Sequence, residues 1–205
     1  MTRHGPAKAT LELPDEDDPG FVLLLTHGSA GGVEAPDVLA VRDAVLERGG
    51  AVSRVTQPFR LAGRRAPGSA ARQDEAWLDV VAAVRGALGE DMPLAQAGRS
   101  NGARVACRTA VAAGARAVVA LAFPTHPPGR PEKSRLEELR AAADAGIPVL
   151  VVNGDRDPFG VPEAVGAAEV RVRPGERHEL GKDPAAVGAI AGDWLAVTLA
   201  QDHQK

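Results

Sequence analysis

The sequence has little of what disulfide-stabilised or membrane-spanning proteins require. Its single cysteine, Cys107, cannot form an intrachain disulfide, so we expect a small core residue in a reducing, cytoplasmic setting. No apolar run reaches about 18 residues, and a transmembrane helix is therefore not expected. The first residues, Met1 to Pro6, lack the apolar stretch of a signal peptide.

Aromatic side chains, charge excess and metal-ligand patterns are scarce as well. Aromatic residues make up 3% of the chain and tyrosine is absent, which argues against a stacking platform for single-stranded nucleic acid. The net charge of −3 gives no basis for general binding to nucleic acid or to a membrane surface. With one cysteine and no two histidines at helical ligand spacing, neither a metal nor another cofactor is expected.

What the sequence does contain is an alternation of short apolar runs with segments of helical periodicity. The runs typical of strands cover residues 21–25, 51–56, 94–97, 117–122, 148–152 and 169–173. The segments typical of helices cover residues 37–48, 70–88, 103–113, 133–145, 161–168 and 184–199. This order predicts an α/β protein with a doubly wound, mostly parallel sheet and no large cap domain.

The chain length of 205 residues and the absence of a linker predict a single domain over residues 1–205. Residues 1–20 are polar and are either loosely ordered or contain a short edge strand over residues 9–13. The acidic run over residues 15–20 indicates a solvated turn. The sequence is compatible with a monomer and with a homo-oligomer, and it does not choose between them.

The segment from Pro93 to Gly114 carries the strongest chemical signal. A short strand runs into Gly98-Arg99-Ser100-Asn101-Gly102, and a helix follows. This context turns a G-x-S-x-G match into a nucleophile elbow, where a serine stands at the tip of a strained turn. Side chains at Gly98 and Gly102 would collide where strand and helix approach each other. The alternative is a plain glycine-rich loop, because a chain this rich in glycine can contain the motif by chance.

A serine hydroxyl needs a neighbouring base, and the base needs an orienting group. The chain offers them in the order serine, aspartate, histidine: Ser100 as nucleophile, Asp157 as orienter and His178 as general base and then acid. Each follows a predicted strand, so all three should meet at the carboxyl edge of the sheet. Asp155 is the rival orienter, and Asp157 and His178 are also compatible with turn-forming and surface positions.

Two backbone N–H groups should receive the oxyanion that develops during acyl transfer. The N–H of Asn101 is one, because Asn101 follows the nucleophile. The glycine-rich loop after the strand at residues 21–25 should supply the other, and the N–H of Ser29 is our assignment.

The substrate contacts are less sharply defined. Arg60, Arg64 and Arg65 form either a solvated basic loop or a loop that recognises an anionic substrate over the site. His27 and His126 follow strands and are expected to shape loops or to line the substrate pocket.

These motifs resemble the α/β-hydrolase superfamily over residues 21–200. The matching stretches are 26–28, 98–102, 154–157 and His178. Residues 58–67, 123–133 and 156–160 further resemble a small lidless branch that is similar to dienelactone-hydrolase-like proteins and includes a testis-expressed protein and a subunit of a histone acetyltransferase complex. The resemblance implies an α/β-hydrolase fold without a large cap. Members of that branch commonly have methionine after the serine, where this chain has Asn101.

The sequence therefore predicts a cytoplasmic serine hydrolase of the esterase or thioesterase type, acting on a small acyl substrate. Two alternatives stay open. One is a non-enzymatic interaction module that keeps the hydrolase scaffold, since fold does not imply function. The other is an acyltransferase, because another nucleophile can intercept the same acyl-enzyme.

Overall fold

The computed structural model describes residues 1–15 and 18–200, so part of the predicted acidic turn, Glu16 and Asp17, lies outside the described residues. One sheet contains seven strands in the order β1-β3-β2-β4-β5-β6-β7. In chain order they are β1 Lys8–Glu12, β2 Phe21–Thr26, β3 Gly50–Thr56, β4 Leu94–Arg99, β5 Ala117–Leu121, β6 Val149–Gly154 and β7 Ala168–Arg173. Only β1 is antiparallel to its neighbour, which confirms the prediction of a mostly parallel sheet.

Helices cover both faces of the sheet, as in a doubly wound fold. They are α1 Pro36–Leu46, α2 Pro58–Leu61, α3 Ala70–Leu88, α4 Asn101–Ala113, α5 Leu136–Ala143 and α6 Pro184–Ala200. Helices α1 and α6 pack on one face, and α3, α4 and α5 pack on the other. On β2, Leu23 and Leu25 join the first cluster, whereas Leu24 joins the second face, as the two-residue period of a strand requires. Burial of each leucine contributes roughly 1.5–3 kcal/mol.

The predicted core position of Cys107 is also observed. The residue lies on α4 and is fully buried. Burial raises the pKa of its thiol to about 12, so the side chain packs as a small apolar group.

Three sequence predictions differ from the structure. Residues 161–168 were predicted as a helix, but residues 161–165 have no regular structure, a turn follows at residues 166–167, and Ala168 begins β7. A helix of this length is marginal, and the left-handed φ of 51° at Gly166 interrupts it. The helix predicted over residues 133–145 is shorter, at Leu136–Ala143: Arg135 before it has a non-helical backbone (φ −116°, ψ 7°), and its N–H donates to the carbonyl of Thr125 (2.8 Å). The loop after β3 contains the short helix α2, which was not predicted.

Parallel pairing aligns the carboxyl ends of the central strands at one edge of the sheet. The loops that follow β2, β4, β6 and β7 all leave this edge. The connections from β5 to α5 (residues 122–135) and from β6 to β7 (residues 155–167) contain no helix or strand, and neither builds a cap domain over the edge. Within residues 1–15 and 18–200, no helix is both long and apolar enough to span a membrane.

Candidate active site

Ser100 occupies a strained turn between β4 and α4. Its backbone has φ 53° and ψ −110°, a combination that L-residues rarely adopt and that costs on the order of 1–3 kcal/mol. The Ser100 N–H donates to the carbonyl of Leu121 (2.8 Å), and the Ser100 carbonyl accepts from the N–H of Arg104 (3.2 Å). These bonds hold the turn and present the serine hydroxyl at the sheet edge.

The two glycines of the motif permit the close contact between strand and helix. A Cβ added to Gly98 would lie 2.3 Å from the carbonyl carbon of Gly102. A Cβ added to Gly102 would lie 2.7 Å from the carbonyl oxygen of His27. Residues 94–113 are thus a strand, a tight turn and a helix, as the sequence predicts, and both glycines are required by backbone packing.

The structure brings Ser100, His178 and Asp157 into one chain of hydrogen bonds. His178 Nε2 lies 2.8 Å from Ser100 Oγ, and His178 Nδ1 lies 2.8 Å from Asp157 Oδ2. Because the carboxylate can only accept, the network assigns the proton to Nδ1 and leaves Nε2 to accept from the serine hydroxyl. The arrangement can therefore remove a proton from Ser100 at Nε2.

Asp157, and not Asp155, faces the histidine. The Asp157 carboxylate is buried and also accepts from the Phe159 N–H (2.8 Å) and from Asn153 Nδ2 (3.2 Å). The Asp155 carboxylate is turned outward and accepts from the N–H of Gly175 (2.7 Å). The rival orienter is thus engaged in holding the turn after β7.

The loop that carries His178 is fixed by a buried carboxylate, Glu176. Its oxygens accept from the backbone N–H groups of Lys182 and Asp183, at 2.9–3.2 Å. The carbonyl of Glu176 packs so tightly on the end of β6 that a Cβ on Gly154 would lie 2.3 Å from it. The Phe159 ring lies edge-on to the imidazole, with centroids 4.4 Å apart. Contacts on several sides therefore hold the imidazole in place.

The glycine-rich loop after β2 lies directly against the nucleophile. A Cβ on Gly28 would lie 3.1 Å from the Cβ of Ser100, which places Ser29 beside it. The Asn101 N–H belongs to the first turn of α4, where backbone donors have no acceptor within the helix. Both proposed oxyanion donors thus belong to segments adjoining Ser100.

His27 shapes this loop and does not line the cleft, contrary to one of our sequence expectations. Its side chain is buried, and burial lowers the pKa of the imidazole, whereas the hydrogen bond to the Gly28 carbonyl raises it. The ring accepts from the Gln57 N–H at Nε2 (3.1 Å), so Nδ1 carries the proton and donates to the Gly28 carbonyl (2.7 Å). That carbonyl shares a peptide unit with the N–H of Ser29. His27 therefore orients the peptide unit that carries the Ser29 N–H.

Arg60 holds the adjacent peptide of the same loop. Its guanidinium donates to the Ser29 carbonyl (2.6 Å). Arg64 and Arg65 are exposed, and Arg64 borders a separate apolar cavity between α2 and α3. His126 is half-buried and bonds to the carbonyl of Pro127 (2.9 Å). The structure therefore places none of these four predicted substrate contacts on the cleft wall around Ser100.

The cleft has a different basic wall. Besides Ser100 and His178 it is lined by Ser29, Ala30, Pro67, Asn101, Arg104, Pro124, Pro128, Arg135 and Phe159. Arg104 follows Ser100 by four residues on α4, a helical spacing that could have indicated a shared face. Arg135 lies in the loop before α5, and no local pattern marks it.

The polar residue after the nucleophile has a buried partner. Asn101 Nδ2 donates to Gln73 Oε1 (2.7 Å) on α3, and both side chains are buried. This bond gives the buried amide nitrogen a partner, so the polar side chain of Asn101 is accommodated next to the nucleophile.

A second carboxylate beneath the nucleophile was missed by sequence reasoning. Asp37, at the start of α1, has a fully buried side chain paired with Arg99 (3.2 Å). Burial raises the pKa of Asp37, and the neighbouring Arg99 opposes that effect. The pair joins α1 to the residue that precedes Ser100.

Solved bacterial structures share this architecture at low sequence identity. Est1E from Butyrivibrio proteoclasticus, in a structure with bound ferulic acid, has a TM-score of 0.74 and 19% identity, over 95% of this chain and 96% of that one. A serine hydrolase homologue from Coxiella burnetii has a TM-score of 0.72 and 16% identity, over 98% and 94% of the two chains. A lidless serine hydrolase from Xanthomonas campestris has a TM-score of 0.66 and 20% identity, over 98% and 91%.

Sequence comparison identifies the family. No curated protein matches the chain. A model of the alpha/beta hydrolase domain, however, matches residues 19–179, which is most of the sequence. The seven-stranded sheet has the topology that this match implies, with the serine turn after a central strand. The chain belongs to the alpha/beta hydrolase family.

Proposed function

We propose that the protein is a serine hydrolase that cleaves small esters or thioesters through an acyl-enzyme. The observation that carries the proposal is the unbroken chain of 2.8 Å contacts from Ser100 Oγ through His178 to Asp157. The strain at Ser100 supports it further, since a binding module would gain nothing from holding a serine in that conformation.

In the first half-reaction, Ser100 Oγ attacks the acyl carbon while its proton moves to His178 Nε2. The carbonyl oxygen becomes an oxyanion, which the N–H groups of Ser29 and Asn101 receive. His178 then gives the proton to the leaving oxygen or sulfur as that bond breaks. The acyl group stays as an ester on Ser100, and Asp157 keeps the imidazole oriented throughout.

In the second half-reaction, water attacks the acyl-enzyme and its proton moves to the same nitrogen of His178. Collapse of the oxyanion releases the acid, and the proton returns to Ser100 Oγ. Since no cap covers the sheet edge, the cleft suits small or extended substrates. Two further structurally similar proteins, a domain from Rhodothermus marinus and a protein from Pyrobaculum calidifontis, are named as esterases, which favours ester-type bonds over other acyl bonds.

Active-site labelling tests this proposal. A fluorophosphonate probe should label the wild-type protein and a Ser134→Ala variant, whose serine is exposed in the loop before α5. It should not label Ser100→Ala, and turnover of p-nitrophenyl butyrate should be lost in the same variant. A folded wild-type protein that neither labels nor turns over esters would favour the interaction module instead.

We also infer the narrower kinship and the setting. The stretches at residues 58–67, 123–133 and 156–160 support membership of the lidless dienelactone-hydrolase-like branch. The single, buried Cys107 supports a cytoplasmic location. Fractionation of the producing cells tests the second inference, which would be wrong if the protein were recovered outside the cytoplasm.

A further inference from the structure

One wall of the cleft carries a cluster of charged groups with unequal numbers of each sign. Arg104 donates to both oxygens of Glu138 (2.5 and 2.7 Å). Arg108 binds Asp74 (2.6 Å) and also lies 3.3 Å from Glu138. Arg135 adds a third guanidinium, near enough to the other two to be affected by their charge. Three cations therefore share two carboxylates.

Arg135 carries the surplus charge. Among the residues that the structure describes, no carboxylate lies within 4.0 Å of its guanidinium, and its one hydrogen bond is a long contact from an Nη to the His126 carbonyl (3.5 Å). The side chain is half-buried on the cleft wall that also contains Ser100 and His178. Burial lowers its pKa, and the charges of Arg104 and Arg108 lower it further, whereas the Glu138 carboxylate opposes these effects.

A guanidinium in this position has unused capacity for an anion. It presents five N–H donors in a planar fork that matches a carboxylate. Arg104 cannot serve equally well, because its two inner donors already bind Glu138. An anion beside Arg135 would balance the cluster and would be partly protected from solvent screening by the cleft.

We propose that the cleft selects substrates that carry a carboxylate, and that Arg135 binds this group while Ser100 acts on the acyl carbon. The inference rests on the proposed hydrolase function. It replaces the expectation that Arg60, Arg64 and Arg65 recognise an anion, since those residues do not line the cleft. Arg135 would then determine specificity, and the surplus positive charge of the cluster would strengthen the contact.

Matched pairs of esters test the proposal in turnover. One pair places the carboxylate on the acyl side, as p-nitrophenyl hemisuccinate against p-nitrophenyl butyrate. The other places it on the leaving group, as 4-carboxyphenyl butyrate against phenyl butyrate. We expect the wild-type protein to prefer the charged member of one pair in kcat/KM, and Arg135→Gln should reduce that preference by about tenfold.

Two further variants separate recognition from general electrostatics. Arg135→Lys, which keeps the charge but loses the planar fork, should restore part of the preference. Arg130→Gln removes a positive charge from an exposed position five residues earlier and should keep the wild-type preference. Added salt should weaken the preference of the wild-type protein. A ratio of charged to neutral turnover that is the same in wild type and Arg135→Gln would overturn the inference and leave the hydrolase proposal intact.

A binding measurement makes the test independent of catalysis. The mono-4-nitroanilide of succinic acid and the 4-nitroanilide of butyric acid, which are amide analogues of the first pair, are titrated by calorimetry into Ser100→Ala and into the double variant Ser100→Ala/Arg135→Gln. We expect the acid to bind about tenfold more tightly than the neutral amide to the first, and the difference to vanish in the second. The corresponding amides of the second pair test the leaving-group side. Equal binding of acid and neutral amide in both series would overturn the inference even if no ester were hydrolysed, whereas loss of turnover alone would count against the proposed function.

Discussion

Substitution of Gly98 by alanine should displace Ser100 more than the same substitution at a glycine far from the active site. The added Cβ would lie 2.3 Å from the carbonyl carbon of Gly102 and 2.7 Å from the N of Ala103, both backbone atoms of α4. Ordinary contacts of this kind begin at 3.4 Å, so β4 and α4 must separate by about 1.1 Å, the difference between the first distance and this limit. Neither a rotamer change nor a flexible side chain can absorb the shift.

Two measurable losses follow from that separation. Overpacking of this type costs roughly 1–3 kcal/mol in free energy of unfolding. A displacement of the Ser100 hydroxyl by about 1 Å from His178 should lower kcat/KM by on the order of 100-fold. Gly102→Ala should show smaller losses of stability and of kcat/KM, since the added Cβ would lie 2.7 Å from its nearest neighbour, the His27 carbonyl oxygen.

The matched control is Gly86→Ala in α3. A Cβ at this exposed helical position meets nothing within 4 Å, and alanine should stabilise the helix by about 0.5–1 kcal/mol. Urea unfolding followed by tryptophan fluorescence gives the free energies, and p-nitrophenyl butyrate turnover gives kcat/KM. Our account of the elbow would be refuted if Gly98→Ala matched the wild-type protein in both measurements.

Three other predictions concern polar groups. Asp157→Asn should lower kcat by on the order of 10⁴-fold by favouring the wrong imidazole tautomer, while Asp155→Asn keeps most of the activity; steady-state kinetics with the butyrate ester checks both. Burial opposes ionisation of Glu138, but its ion pair with Arg104 lowers the pKa below the ordinary 4.5. Glu138→Gln should therefore lose roughly 1–3 kcal/mol in free energy of unfolding at pH 7. In urea titrations the difference from the wild-type protein should close as the pH falls through that lowered pKa. Gln73→Leu leaves the buried amide of Asn101 unpaired and should cost about 1–3 kcal/mol in the same urea assay; an unchanged midpoint would contradict it.

The pH prediction for Glu138 has a definite sign. A carboxyl whose pKa is lower in the folded state contributes its stability above the unfolded value and loses it as the pH falls through the folded one. The wild-type protein should therefore lose its advantage over Glu138→Gln on the acid side only. A gap of constant size from pH 7 to pH 3 would show that packing, and not the ion pair, accounts for the difference.

Local patterns in the sequence were sufficient to predict the sheet and most of its helices. Apolar runs and helical periodicity show which side chains are buried, and the spacing of buried side chains distinguishes a strand from a helix. The elbow was predictable for the same reason, because Gly98, Ser100 and Gly102 act within one short segment. The segment at residues 161–168 was wrongly predicted as a helix because its apolar residues Val165 and Ala168 pack against the core on either side of a turn at Gly166, which interrupts a helix.

The amino-acid sequence by itself determined which segments form strands and helices and which loops should share the carboxyl edge, since parallel strands joined through helices end at the same edge of the sheet. Only the tertiary structure decided which side chains of those loops face one another. Asp155 and Asp157 are two residues apart, and the packing of the turn after β7 turns one outward and the other toward His178. Packing of α4 against α5 likewise placed Arg104 and Arg135 on the cleft wall instead of Arg64 and Arg65. Side-chain direction in loops depends on contacts between distant segments, and no local periodicity encodes it.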